Sequence, residues 1–219
     1  MARLPFFVHA RNLFKVGALY VWGAYTAVGA EGLTLRPSPQ QLEAERSLVE
    51  AARSNPVAFG ALYERYVDAI YAYAYQRTGD RTITEDVVSE TFHKALENIH
   101  GYEWRGVAFS AWLYRIASNV VAARFRREPI MGGEDELESA LDLEPGPELS
   151  LTILERRTDV MKAVRMLPDD QQQVVLLRFG QDLRNKEIAR IMQRSEGAVK
   201  LLLHRALAGL HRRLAAVEE

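Results

Sequence analysis

The chain has 219 residues, 48% hydrophobic and 26% charged, enough apolar material for one large core or two small ones. Its 28 Lys and Arg nearly balance 29 Asp and Glu, so any surface cationic enough to hold nucleic acid must be local. There is no cysteine, which excludes a disulfide framework and thiolate metal sites and fits a reducing compartment.

The first 36 residues stand apart. Arg3, Arg11 and Lys15 precede an apolar stretch from Val16 to Ala30, and no acid appears before Glu31. The pattern has the form of a signal peptide, with Val28-Gly29-Ala30 like a cleavage site. It is too short and too glycine-rich for a membrane span. A misassigned start and a regulatory or membrane-touching extension are the other readings, and residues 1–36 are set aside from the fold. The chain's end soon after Arg213 carries the expectation that no further regulatory domain follows.

Arg36-Pro37-Ser38-Pro39 leads into helical sequence. Residues 40–53 predict a short helix with a polar face. A longer one starts at Asn55-Pro56, where Phe59, Leu62, Tyr63, Tyr66, Ile70 and Tyr73 recur at three- and four-residue steps; Gly79-Asp80 ends it. The next helix runs from about Thr82 to Ile99. Ile83, Val87, Thr91, Ala95, Leu96 and Ile99 form its inner face, beside Val88 and Phe92. Its outer face carries acids, with i,i+4 pairs Glu90–Lys94 and His93–Glu97. A third helix spans about Val107–Arg127, with Phe109, Trp112, Leu113, Ile116, Ala117 and Val120 inward and a cationic end at Arg124, Arg126 and Arg127.

Composition then changes. Residues 128–149 hold three prolines, three glycines, many acids and neither Lys nor Arg, which reads as a tether. A second helical region follows: a helix over 150–166, a corner at Leu167-Pro168-Asp169, a helix through Val174–Phe179, and a break at Gly180-Gln181-Asp182. The fold class expected is all-α, with domains over 40–127 and 150–215 joined by an acidic linker.

The segment KEIARIMQRSEGAVKLLLHRAL (186–207) predicts a helix-turn-helix. Ile188, Ala189 and Met192 give its first helix an apolar face, and Ala189 is small where two helices cross. Ser195 suits an N-cap and Glu196 the first turn of the second helix. Lys200, His204 and Arg205 project away from the apolar stripe of Val199, Leu202, Leu203, Ala206 and Leu210. From Arg178 to Arg213 there are nine Lys and Arg against three acids, so the local basic surface exists. A solvated amphipathic helix has the same pattern as a DNA reader.

Two segments in order narrow the reading. EDVVSETFHKALENI with FSAWLYRIASNVVAARFRR resembles the N-terminal domain of extracytoplasmic-function sigma factors of the sigma-70 family. LPDDQQQVVLLRF with KEIARIMQRSEGAVKLLLHRALAGL resembles their C-terminal domain. The resemblance covers about residues 40–215. It implies a bacterial transcription initiation factor without catalytic chemistry, cofactor or small-molecule substrate.

By that resemblance, Lys200, Leu201, His204 and Arg205 read the −35 element, with Arg178, Arg184 and Asn185 near the same DNA. Tyr102, Trp104 and Arg105, with Asn119 and Arg124, hold the melted −10 strand, where stacking and charge capture unpaired bases. Glu85, Asp86, Ser89, Glu90 and Phe92 face core RNA polymerase, on the clamp helices of its largest subunit. An anti-sigma factor is an expected partner, and the location is cytoplasmic or at the membrane through that partner. The acidic linker would follow the polymerase's RNA path. Taken alone, Trp112 reads as core, Tyr102 and Trp104 as loop cover, and the α-helical acids as a solvated face.

The sequence also departs from the family pattern. Gln193-Arg194 stands where a glycine is frequent in the turn, Leu201-Leu202 where polar and cationic residues are, Ser89 for Gln and Ala123 for Asp. The rival function is a free-standing helix-turn-helix regulator dimerising on a palindrome. The five histidines (9, 93, 100, 204, 211) lack metal-ligand spacing, and no phosphate loop or serine elbow points to an enzyme.

Overall fold

The apolar periods become helices in the computed structural model, which describes residues 38–127 and 159–215. The expected extension 1–36 and linker 128–149 lie outside them. The described residues form helices and connecting turns, with no strand among them.

Helix α1 (Pro39–Ser54) opens with a capping box. Ser38 Oγ accepts from the Gln41 N–H at 3.2 Å, and Gln41 Oε1 accepts from the Ser38 N–H at 2.7 Å. A 3-10 turn (Pro56–Ala58) leads into α2 (Phe59–Thr78). Gly79 ends α2 at φ +70°, a left-handed cap that glycine adopts without steric cost. Asp80 then caps α3 (Arg81–Asn98), its carboxylate accepting from the Ile83 N–H at 2.7 Å. A second 3-10 turn (Ile99–Gly101) and a loop precede α4 (Phe109–Arg127), which starts two residues later than the period predicts. Helices α2, α3 and α4 pack around Leu62, Ile70, Tyr73, Val87, Ala95, Phe109 and Leu113, all nearly or wholly inaccessible. Tyr63 and Leu96, expected inside, stand partly exposed; the Tyr63 ring meets that of buried Phe92 edge-on at 4.8 Å.

The second domain contains a helical segment α5 (159–165), α6 (Asp169–Val175), α7 (Asn185–Ile191) and α8 (Glu196–Ala215). The expected single helix through Val174–Phe179 is instead the end of α6 continuing into a π-helical stretch, Leu176–Gly180. The wider turn accommodates one extra residue and still buries Leu176 and Leu177. Ser195 caps α8 as expected, accepting from the Ala198 N–H at 3.2 Å. Between α7 and α8 the chain keeps a left-handed residue without glycine, Gln193 at φ +54°.

The two domains pack directly on each other. Helix α7 lies against α4, and the π-helical stretch against α2. Tyr114 donates to Gln181 Oε1, and Arg77 pairs with Asp169. Arg165 lies so close over Gly79 that a Cβ there would sit 2.7 Å from its guanidinium carbon.

Candidate nucleic-acid and partner interfaces

Helix α8 separates its faces cleanly. Val199, Leu202, Ala206 and Leu210 are buried, while Lys200, Leu201, His204 and Arg205 are all exposed. These four occupy i, i+1, i+4 and i+5, one stripe over little more than a turn. Leu201 is 52% exposed, the apolar member of the stripe. The neighbouring candidates divide. Arg184 is exposed at the entry to α7, where its N–H donates to Glu187 Oε2 at 2.7 Å. Arg178 is turned onto its own domain, donating to the Leu183 carbonyl at 2.8 Å. Asn185 is half-buried, and its Oδ1 has no hydrogen-bond partner.

The loop between α3 and α4 is less open than the sequence suggests. Tyr102, expected as a stacking surface, is only 8% exposed. Its ring packs on Phe109 at 5.2 Å and Trp112 at 4.9 Å, because the loop folds back over the start of α4. Burial pushes its phenol up to about 12, the Glu45 carboxylate adds to this, and Arg105 and Arg115 oppose it. Trp104 is half-buried and Arg105 exposed, the latter paired with Glu103 at 3.1 Å. Asn119 is exposed on α4. Arg124, further along, reaches Asp86 of α3 at 3.3 Å, so a residue expected at DNA holds one expected at a protein partner.

On α3, Glu85, Asp86, Ser89 and Glu90 form an exposed acidic face. It is internally braced by Arg81–Glu85 at 3.2 Å, Lys94–Glu90 at 2.6 Å and His93–Glu97 at 3.6 Å. Phe92, expected among the contact residues, is buried between Phe59 and Tyr63 because its position falls on the inner side of the 3.6-residue period. It shapes this face from beneath.

A cavity of about 580 Å³ lies where the domains meet. Tyr102, Arg105, Trp112 and Arg115 line it from the first domain, and Arg190 and Ile191 of α7 from the second. Residues the sequence reading missed govern this neighbourhood. Glu45 is wholly buried and binds the start of α4, and Arg53 binds the turn before the loop. Arg77, Asp169 and Gln181 hold the seam. Among the described residues no group of His, Asp or Glu has the makings of a metal site, and no helix is long and apolar enough to cross a membrane.

An all-α pair of domains, one of them a helix-turn-helix with an exposed cationic stripe, is an architecture used by DNA-binding transcription proteins. Residues 62–129 match the family described as Sigma-70 region 2, and residues 157–210 that described as Sigma-70, region 4. The chain is 42% identical over 173 residues to the ECF RNA polymerase sigma factor BldN of Streptomyces coelicolor, across 76% of this chain and 64% of that protein. It therefore spans just under two thirds of that relative's length. It is 32% identical to the ECF RNA polymerase sigma-E factor of Haemophilus influenzae, across 74% of this chain and 90% of that one.

Among solved structures, CnrH in complex with the cytosolic domain of CnrY superposes with a TM-score of 0.60 at 27% identity, covering 79% of this chain and 98% of that one. The sigma factor RpoE of Bartonella quintana, in complex with the anti-sigma factor NepR, shares the fold with a TM-score of 0.56 at 23% identity, covering 72% and 96%. The chain belongs to the extracytoplasmic-function sigma factors of the sigma-70 family, the transcription initiation factors that the ordered motif pair indicates.

Proposed function

We propose that this sigma factor holds core RNA polymerase through α3 and reads a promoter at two points. Glu85, Asp86, Ser89 and Glu90 form the polymerase contact, with the clamp helices of the largest subunit as the docking site. Phe92 supports that face from inside. Lys200, Leu201, His204 and Arg205 enter the major groove at the −35 element, with Arg184 on the adjacent backbone and Arg178 and Asn185 behind it. Trp104, Arg105 and Asn119 take the unpaired −10 strand, Tyr102 forms the wall on which they stand, and Arg124 extends the cationic edge. The observation that carries this reading is the four-residue exposed stripe on α8, in a chain whose first domain matches region 2.

The packed arrangement implies a conformational step. Elements at −35 and −10 are separated by roughly 85 Å of B-DNA at 3.4 Å per base pair. A packed chain of this size has a radius of gyration of only about 17 Å. With α7 against α4, the two readers cannot reach both elements, so polymerase binding must separate the domains. An anti-sigma factor is the expected regulator, acting on the closed form in the cytoplasm or from the membrane. No catalytic step is assigned to the protein itself.

The test is footprinting of genomic fragments by the full chain with core polymerase. Paired protection at two elements about 25 base pairs apart is expected from the names of those elements and the rise of DNA. Protection of an inverted repeat by the protein alone would favour a free-standing regulator instead.

A further inference from the structure

Helix α1 precedes the residues that match region 2, and it holds both ends of the loop that carries Tyr102, Trp104 and Arg105. At the loop's start, Arg53 donates from Nε and Nη2 to the His100 carbonyl at 3.3 and 3.1 Å. At its end, the N–H of Phe109, the first residue of α4, donates to Glu45 Oε1 at 2.8 Å. The same oxygen accepts from the Tyr66 hydroxyl of α2. Glu45 thus ties α1, α2 and α4 at one atom.

The chemistry of Glu45 suits this task. It is 0% exposed, and a buried carboxylate is retained only where its interactions offset its desolvation. The N-terminus of α4 supplies an unpaired N–H and the positive end of a helix dipole. Its second oxygen, Oε2, is buried without any hydrogen-bond partner. One oxygen, Oε1, therefore does the positioning. Within the loop, Gly106 turns the chain at φ +68°, three residues before the Phe109 that Glu45 holds.

We propose that Glu45, assisted by Arg53, is a positioning residue for promoter opening: it fixes the 102–108 loop in the shape that receives the unpaired −10 strand. The inference rests on the −10 reading given above. Glu45 touches no DNA in this account. It acts through Phe109 and through the ring cluster of Tyr102, Phe109 and Trp112, whose centroids lie 4.9 to 5.2 Å apart.

The experiment uses holoenzyme assembled from the full chain and core polymerase. The probe is a fork-junction DNA, single-stranded across the −10 element, taken from a promoter that the wild-type holoenzyme protects. Glu45→Ala is expected to weaken fork binding about tenfold to hundredfold, the equivalent of one lost hydrogen bond to a charged group, with core affinity unchanged. Glu45→Gln is expected to lose less than Glu45→Ala, since its Oε1 still accepts from Phe109 and Tyr66 although the charge is gone. Arg53→Ala, at the exposed end of α1, is expected to lose about threefold, matching a weaker surface bond.

Wild-type fork binding by Glu45→Ala, or a Glu45→Gln as weak as Glu45→Ala, overturns the proposal. If Glu45→Ala does not fold, Arg53→Ala decides: weakened binding supports the proposal and unchanged binding overturns it. Trp104→Ala with Arg105→Ala separates the two levels. If those loop changes leave fork binding intact, the −10 reading itself has failed, whatever Glu45 does.

Discussion

Arg77 and Asp169 meet across the seam between the domains: the guanidinium, its side chain wholly buried, donates from Nη2 to the carboxylate. Arg77 is otherwise poorly served. Its Nη1 has a long 3.4 Å bond to the Tyr73 hydroxyl, and its Nε has no partner. The main counter-charge of a first-domain core residue therefore comes from the second domain. Separating the domains would exchange Asp169 for water at Arg77.

Asp169→Asn should loosen this seam. Removing the charged acceptor is expected to cost about 1–3 kcal/mol of closure, reduced by the exposure of Asp169 itself. Small-angle scattering of the free protein should show a larger radius of gyration, with helix content unchanged. An unchanged scattering profile would remove the latch from the account.

The stripe on α8 gives a second expectation. Lys200→Ala with Arg205→Ala should cost about 1–3 kcal/mol for each side chain that reads a base edge, and should flatten the salt dependence for each that neutralises a phosphate. Affinity for core polymerase should not change. Loss of core binding in this variant would contradict the division of labour between domains.

Promoter melting separates Trp104 and Asn119 from Tyr102. Trp104→Ala with Asn119→Ala should lower permanganate reactivity of −10 thymines more than it lowers closed-complex binding. Tyr102→Ala removes a buried ring that packs on Phe109 and Trp112, so it should also destabilise the fold by about 3–5 kcal/mol. A Tyr102→Ala protein of normal stability would contradict the packing described.

Alkaline pH supplies a further test. Tyr102 is raised to about 12, and burial likewise holds the phenols of Tyr66 and Tyr114 above the ordinary tyrosine value. A group with a raised folded pKa contributes stability that is complete below its unfolded pKa, near 10 for tyrosine, and lost as pH rises through the folded value. Helical circular dichroism and tyrosinate absorbance should therefore change together between about pH 10 and 12. Ionisation of all nine tyrosines near the unperturbed value, with helix retained, would contradict that burial.

The turn between α7 and α8 offers a stabilising change. Gln193 sits at φ +54°, which costs an L-residue about 1 kcal/mol. Gln193→Gly should raise Tm by roughly 2–4 °C. A lowered Tm would mean that the Gln193 side chain contributes more than its backbone strain removes.

Much of this was legible in the sequence, for definite reasons. A 3.6-residue apolar period identifies a helix wherever the core lies on one side, so the four helices of the first domain and the turn at Ser195 could be read directly. The exposed stripe on α8 follows from the same period. Glu45 was not legible as a core residue because its type argues for solvent. Its position does not: Leu42, Glu45, Val49 and Ala52 fall on one helical stripe, and an acid within an apolar stripe is the signal that was available. The π-helical stretch was hidden because Leu176 and Leu177 are buried under either geometry. The seam was hidden for a different reason. Arg77, Asp169, Tyr114 and Gln181 are ordinary residues in local pattern, and only the packing of two domains makes them partners.

The most direct test of the central claim is co-elution of residues 37–219 with bacterial core RNA polymerase on a sizing column. A stable stoichiometric complex is the expected result, with the acidic face of α3 at its interface and Glu85→Lys with Glu90→Lys abolishing it. A protein that elutes alone beside active polymerase, with no inhibitor bound, would contradict the account.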